Sequence, residues 1–454
     1  MSVLRTGGTH VPVRRRSVHG GVAAAVLALA APLALPASAS AAPTASVPGR
    51  PGQGLNDFYA ARGGMPLWFE HGQPSQAASL LLDMISNAGV DGLNPAAYRP
   101  RDIDRALRSA WGGNPRAVRQ ADFLLSQALV AYVRDLRRTS DIGVVYVDTA
   151  LRPGPPSPRA ILDAAARAAS LTDYVARMSW MNPNYAQLRT ALLNREFNSS
   201  EEQQILAVNL ERARELPGGS GRYVLVNAAA QRLFMVEDGE IVDSMKVVVG
   251  KPKNPTPMMA AFIRFAALNP YWNVPPDLAA ERIAPNVVKS GLGYLKTHGY
   301  EVLSDWGDNP TIVDPSTIDW QAVADGRLEI RVRQLPGRSN SMGQMKFMFP
   351  NSEGVYLHDT PDKELLTEAS RLFSGGCVRL EDAPRLGTWL FGQPLDPSRA
   401  KTEEAQPLPK PVPVYITYLT AVPDGSSIAY LDDIYGRDGK RLAQRTGSFL
   451  AASH

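Results

Sequence analysis

One cysteine, Cys377, stands in the run Phe373-Ser374-Gly375-Gly376-Cys377-Val378-Arg379-Leu380. A histidine, His358, lies nineteen positions before it, at the end of Val355-Tyr356-Leu357-His358. A free thiol ionises near pKa ~8.5, so little of it is thiolate at neutral pH; a nearby imidazole can take the proton or hold the thiolate as an ion pair. The pairing therefore points to a cysteine nucleophile with a histidine base. Glycines ahead of a nucleophile let the chain turn sharply and bring amides close to a substrate oxygen, which makes the Gly376 and Cys377 amides the expected oxyanion donors. Arg379 shares a face with Cys377 if the segment is extended, where it could bind a carboxylate or steady the thiolate. Its structural alternative is an ion pair with Glu381 or Asp382. Tyr356 alternates onto the His358 face, to line the cleft or simply to pack. Asp359 adjoins His358, but a side chain seldom reaches its neighbour's ring, so a backbone carbonyl is the better candidate for orienting the imidazole. Of six histidines only His298 and His358 lie in the half of the chain that carries Cys377, short of the terminal His454, and His298 is the weaker partner. One cysteine and scattered histidines give no metal-ligand set, and no cofactor is implied.

These residues need a sheet to hold them. Strands are predicted at Tyr223–Asn227, Arg232–Val236, Ile241–Val249, Phe262–Leu268, Leu328–Val332, Gln344–Phe349, Gly354–His358 and Val412–Ala421, with an Asp-Gly hairpin turn at Asp238-Gly239. Asp382 is placed to cap a helix running to Phe391, with Pro384 tolerated in the first turn. Between Asn269 and about Gly326 the sheet pattern is interrupted by helical stretches such as Asp277–Val288 and by Trp306 and Trp320. An insertion of this length beside a site is expected to be a lid or substrate platform, with a decorative subdomain as the alternative. The chain before Pro217 reads as mainly helical: Asn56–Arg62, Ser75–Ala88, Ala117–Arg138, Pro158–Ala169, Leu171–Met178, Tyr185–Asn194 and Glu201–Glu215. Leu125, Leu129, Tyr132, Val133 and Leu136 form one apolar stripe. No catalytic constellation is evident there, and His71 is isolated. The fold class is thus α+β: a helical domain over 55–216, a mainly β domain over 222–421 with the insertion at about 270–326, and a C-terminal tail over 422–454 that reads as charged and peripheral from Asp432.

The first 39 residues carry Arg5, Arg14, Arg15 and Arg16 and no acid, leaving 44 basic against 44 acidic residues in the rest. A nucleic-acid partner is therefore not indicated. Arg14–Arg16, the apolar stretch Val22–Leu35 and Ala37-Ser38-Ala39 read as a secretory signal over 1–39, with an uncleaved anchor as the alternative, followed by a flexible leader over 40–54. No later segment is long and apolar enough to span a bilayer. Exported proteins use cysteines mostly in pairs, so a lone thiol should be buried or used. Its Ser-Gly-Gly setting argues for use.

His358-Asp359-Thr360-Pro361 together with Ser374-Gly375-Gly376-Cys377-Val378-Arg379 resembles the L,D-transpeptidase family (YkuD-type catalytic domain). His358, Gly376, Cys377 and Arg379 match its motif, whereas Gly375 stands where many members have histidine. Phe58–Arg62, Pro66–Trp68, Asp91–Tyr98 and Tyr132–Leu136 resemble the N-terminal scaffold of the large YcbB-like branch, and Asn269–Pro275 resembles the lead-in to its lid. Lys346–Asn351 and Asp432–Asp438 also fit, but the peptidoglycan-binding module of many long members is missing. The resemblance implies an exported, periplasmic enzyme. Cys377 would attack the bond after the third residue of a tetrapeptide stem and pass the acyl group to a diaminopimelate amine, giving a 3-3 cross-link. A lipoprotein lysine or water are the other acceptors. His358 would be base and then acid, Gly376 and Cys377 the oxyanion hole, and Arg379 a stabiliser. Ser374, Gly375, Tyr356 and Trp272 are the candidate substrate contacts, cell-wall synthases the candidate partners, and carbapenems should acylate Cys377. A hydrolase with the same thiol, or a wall-binding scaffold without turnover, are the rival readings.

Overall fold

The computed structural model describes residues 53–219, 221–307 and 309–451. The expected signal and most of the leader lie outside the described residues; the leader's last two positions, Gln53 and Gly54, instead open the first helix, Gln53–Ala61.

Residues 53–213 contribute the helical part. Its longest helix, α1 (Pro115–Leu136), starts with proline in its first turn behind Asn114, whose side chain accepts from the Arg116 N–H at 2.9 Å. That is a helix start in which the missing N–H costs nothing and an orphan donor is capped. The expected stripe of Leu125, Leu129, Tyr132, Val133 and Leu136 is fully buried. A helix over Pro100–Ala110 was not anticipated; Ile103, Leu107 and Ala110 are its buried face, three small stations among charges. The core also holds a buried acid: Asp91 accepts from the hydroxyls of Tyr132 and Tyr185, both at 2.6 Å, and from Arg189 Nε at 2.9 Å. A buried carboxylate persists only with such a full set of partners. The last helix of this part, α2 (Ser200–Ala213), is capped by Ser199.

Eight strands make the body of a ten-stranded curled sheet: β1 (Arg222–Asn227), β2 (Arg232–Glu237), β3 (Glu240–Gly250), β4 (Met259–Leu268), β5 (Met345–Met348), β6 (Leu357–His358), β7 (Val378–Leu380) and β8 (Glu404–Thr417); Leu372–Ser374 pairs with β3 at its side. Their spatial order is β5-β6-β7-β3-β2-β1-β8-β4, and β4 pairs β5, so the sheet closes on itself. Closure removes free edges and leaves an interior filled by side chains such as Val247, Val249, Phe347, Leu357, Val378 and Leu380. Helix α3 (Ala383–Phe391), capped by Asp382 as expected, packs beside it. Strand β6 is shorter than predicted: Gly354 turns at φ +63°, and the Val355 N–H and carbonyl are bonded to the Asn351 side chain rather than to a neighbouring strand.

The two parts interleave more than the predicted boundaries allow. Val145–Tyr146, from within the helical range, pairs in parallel with β4. The hairpin Ala421–Asp424/Ser427–Tyr430 sends Ala421, Ile428 and Tyr430 into the helical core. The C-terminal stretch is therefore not a peripheral tail. Helix α4 (Arg437–Ala451) carries Asp438 in its first turn, buried and ion-paired to Arg212 of α2. Charge alone suggested a solvated tail, but these charges are partnered inward.

The insertion is a compact subdomain with its own core of Val274, Ile283, Val287, Leu295, Val302 and Val332. Trp272–Val274, Tyr300–Leu303, Ile312–Val313 and Arg331–Gln334 form its sheet. The predicted Asp277–Val288 helix is a composite, with a π segment at Ala279–Ile283 preceding Ala284–Ser290. Pro285 explains the widening: it has no N–H to give Glu281, so the ordinary ladder cannot continue through it.

Candidate active site

Strands β6 and β7 run parallel, with Leu357 opposite Val378 and His358 opposite Arg379; β5 lies on the other side of β6, with Lys346 opposite His358. Opposed residues share a face and faces alternate along a strand. Leu357, Val378 and Phe347 therefore enter the barrel interior, while Lys346, Tyr356, His358, Cys377 and Arg379 gather on the other face at one seam. The register alone brings together the thiol, the imidazole, two cations and a phenol.

His358 is 2% exposed, and its Nδ1 lies 2.6 Å from the Asp359 carbonyl oxygen. The expected backbone orientation of the imidazole is what the structure shows. With Nδ1–H donating, Nε2 is left as the basic nitrogen. The Asp359 carboxylate turns elsewhere, accepting from the Gln344 N–H at 3.0 Å and pairing with Lys363 at 2.8 Å. Burial, with Arg379 and Lys346 adding repulsion, pushes the His358 pKa down to about 3. The ring is thus neutral at physiological pH, able to accept a proton but reluctant to keep one.

Cys377 is partly exposed. Its Sγ receives a hydrogen bond from the Tyr356 backbone and lies 3.5 Å from the Gly354 carbonyl oxygen. Burial pushes the thiol pKa up, while that bond and the charges of Arg379 and Lys346 pull it down. Burial prevails, so the resting pair is a thiol and a neutral imidazole rather than an ion pair. No hydrogen bond joins His358 to Cys377 among the described residues.

The oxyanion expectation is corrected in part. The Gly376 N–H donates to Ser374 Oγ at 3.1 Å and is not open to a ligand, whereas the Cys377 N–H has no acceptor among the described residues. Gly376 has φ +124°, a region L side chains rarely enter, and its carbonyl accepts from Thr256 Oγ1 at 2.8 Å. Its contribution is conformational: it turns the chain so that the next amide faces out. Gly375 differs, since a Cβ there would meet only Leu278 of the insertion at 3.8 Å, an ordinary contact. Ser374 is 2% exposed and donates to the Cys377 carbonyl at 2.6 Å, so it braces the loop and does not present a surface to substrate.

Arg379 pairs with Asp362 at 3.1 Å rather than with Glu381 or Asp382, and its buried Nε has no partner among the described residues. Lys346, not singled out by the sequence beyond its motif, holds its Nζ 5.1 Å from the Tyr356 ring centre, and burial lowers its pKa. Only the strand register shows that it shares the His358 face. From the insertion, Leu278 approaches Gly375, and Glu281 bonds Lys253 at 2.7 Å across the exposed rim. Trp272 packs against the insertion's own core, its ring 6.5 Å from that of Tyr300, which assigns it a structural place. His298 stacks among Tyr294 and Tyr300 and is spent there. A separate cleft of about 660 Å³, lined by residues including Gln187, Asp238 and Ser427, contains none of these side chains.

Residues 53–192 match the scaffold domain family, and residues 221–395 match the L,D-transpeptidase catalytic domain, YkuD. A Haemophilus influenzae protein named "Putative L,D-transpeptidase" is 28% identical over 402 residues, covering 85% of this chain and 78% of that protein. An L,D-transpeptidase from Mycobacterium smegmatis aligns at 15% identity with a TM-score of 0.21, covering 44% of this chain and 63% of that one, under two thirds of its length. The catalytic domain of an Enterococcus faecium L,D-transpeptidase aligns at 13% identity and a TM-score of 0.17, covering 43% of this chain and 97% of that domain. This chain has an L,D-transpeptidase catalytic domain of the YkuD type behind an N-terminal scaffold domain.

Proposed function

We propose that this protein is an exported peptidoglycan L,D-transpeptidase that forms 3-3 cross-links through a cysteine acyl-enzyme. The observation that carries this reading is the gathering of Cys377, His358, Arg379 and Lys346 on one face of the β5-β6-β7 seam, within the matched catalytic domain. The family acts on peptidoglycan stem peptides.

The donor is a tetrapeptide stem. Cys377 Sγ attacks the carbonyl carbon of the third residue as His358 Nε2 takes the thiol proton, and the C–S bond forms as the carbonyl electrons move onto oxygen. The Cys377 N–H bonds that oxygen, with Arg379 and Lys346 supplying positive charge nearby. Collapse breaks the C–N bond; the imidazolium returns its proton to the nitrogen, and D-alanine leaves. The diaminopimelate amine of a second stem then attacks the thioester, giving a proton to His358, and the thiol is re-formed as the new amide is made. In the resting site burial disfavours the imidazolium, so proton transfer to His358 relies on the thiolate and the developing oxyanion to stabilise the positive ring as it forms. Gly376 and Ser374 hold the loop. Tyr356 lines the donor side, and the insertion is the lid over Gly375 that selects the acceptor.

Export rests on the basic, apolar and small-residue succession of residues 1–39, with cell-wall synthases as partners. Among the described residues no helix is long and apolar enough to cross a membrane. The deciding experiment is incubation with purified disaccharide-tetrapeptide and mass analysis of the products. A dimer linked through two third residues, absent with Cys377→Ala, is expected. Tripeptide alone would assign the protein to hydrolysis.

A further inference from the structure

Thr256, in the turn between β3 and β4, is fully buried and makes two bonds at the base of the cysteine loop. Its Oγ1 accepts from the Gly250 N–H at 2.9 Å and donates to the Gly376 carbonyl at 2.8 Å. The turn is tight: a Cβ on Gly250 would fall 2.1 Å from the Asn254 carbonyl oxygen. What holds the turn comes from the far end of the chain. Arg437 Nη2 donates to the Thr256 carbonyl at 2.8 Å, and the Tyr435 hydroxyl donates to the Gly250 carbonyl at 2.7 Å. The Arg437 guanidinium lies 4.9 Å and 5.0 Å from the centres of the Tyr418 and Tyr435 rings. Next in sequence, Asp438 pairs with Arg212 of α2 and accepts from Thr420 Oγ1 at 2.6 Å, and Thr420 is bonded to Asn209 of the same helix. Two sets of polar contacts, buried at Asp438 and part-buried at Tyr435 and Arg437, and joined through the chain at 437–438, thus link helix α2 by way of the C-terminal segment to the residue preceding Cys377.

We propose that Tyr435, Arg437 and Thr256 are positioning residues that fix the Gly376 carbonyl, and through it the outward-facing Cys377 amide and thiol, against the scaffold domain. The proposal rests on the reading of Cys377 as nucleophile. A peptide plane pinned at its carbonyl cannot rotate, so its following amide is pre-set for a developing oxyanion. Losing the pin costs reaction rate rather than binding.

The test uses the full chain with four substitutions: Thr256→Val, Thr256→Ser, Arg437→Met and Arg437→Lys. The readouts are the acylation rate constant and apparent affinity with meropenem, thermal stability, and hydrogen exchange of the Gly375–Val378 amides. Thr256→Val and Arg437→Met are expected to slow acylation by about tenfold or more with affinity unchanged, and to raise amide exchange at 375–378. Thr256→Ser, which keeps the hydroxyl, is expected to restore the rate, and Arg437→Lys to restore it in part. A folded Thr256→Val protein with unchanged acylation and unchanged exchange overturns the proposal. If the native protein takes no adduct, the nucleophile reading falls by itself, and amide exchange still decides the positioning claim: unchanged exchange in both variants refutes it, raised exchange supports it.

Discussion

At the scale of single residues, the site works through opposed influences on a buried imidazole and a partly exposed thiol. His358 is held neutral by burial and two neighbouring cations, so its stability effect has a definite sign. The unfolded chain takes up a proton near pH 6.5 that the folded chain refuses until about 3. The contribution is therefore complete above pH 6.5 and is lost progressively as pH falls towards 3. A His358→Gln variant should lose a few kcal/mol of that acid sensitivity, read from urea midpoints across pH 3–7. Lys346 favours the Cys377 thiolate by charge. Lys346→Met should slow iodoacetamide alkylation at pH 7 by roughly tenfold, with the rate rising at higher pH. Gly376→Ala would force a side chain into φ +124°, at a cost of about 1–3 kcal/mol, and should depress acylation more than it depresses thermal stability. The thiol and imidazole were legible because their types are rare here and chemically loaded. Lys346 was not, since a lysine on a strand declares nothing until the register places it. The Gly376 amide was misread because its engagement depends on where Ser374 points, a local fold that glycine content does not specify.

At the scale of elements, the barrel seam and the insertion divide the work. Hydrophobic alternation made most barrel strands readable, because one face must enter a core. The insertion's strands were less visible: Trp272–Val274 and Arg331–Gln334 are short and pair across almost sixty residues. Those two strands also suggest a clean test of the lid. Replacing residues 276–329 by a short turn would leave them paired as a hairpin. The shortened protein is expected to retain alkylation of Cys377 but lose acceptor use, so that tripeptide replaces cross-linked dimer. Full cross-linking by such a variant would remove the lid from the acceptor step.

Across the whole molecule, scaffold and barrel share strands, a hairpin and a buried C-terminal brace. That interleaving escaped the sequence because charged stretches such as Asp432–Asp438 look solvated until their partners, Arg212 among them, are brought from over two hundred residues away. The scaffold's own integrity centres on Asp91. Asp91→Ala would leave Arg189 buried without its carboxylate, costing about 3–5 kcal/mol and lowering the unfolding temperature by about ten degrees, while Cys377 in the folded fraction keeps its reactivity. The central claim is that Cys377 is an acylating nucleophile in the intact chain. Intact-mass spectrometry after incubation with meropenem tests it most directly, with Cys377→Ser alongside. One drug equivalent on the native protein and none on the variant is the predicted result; equal labelling of both, or none on a folded native protein, would contradict it.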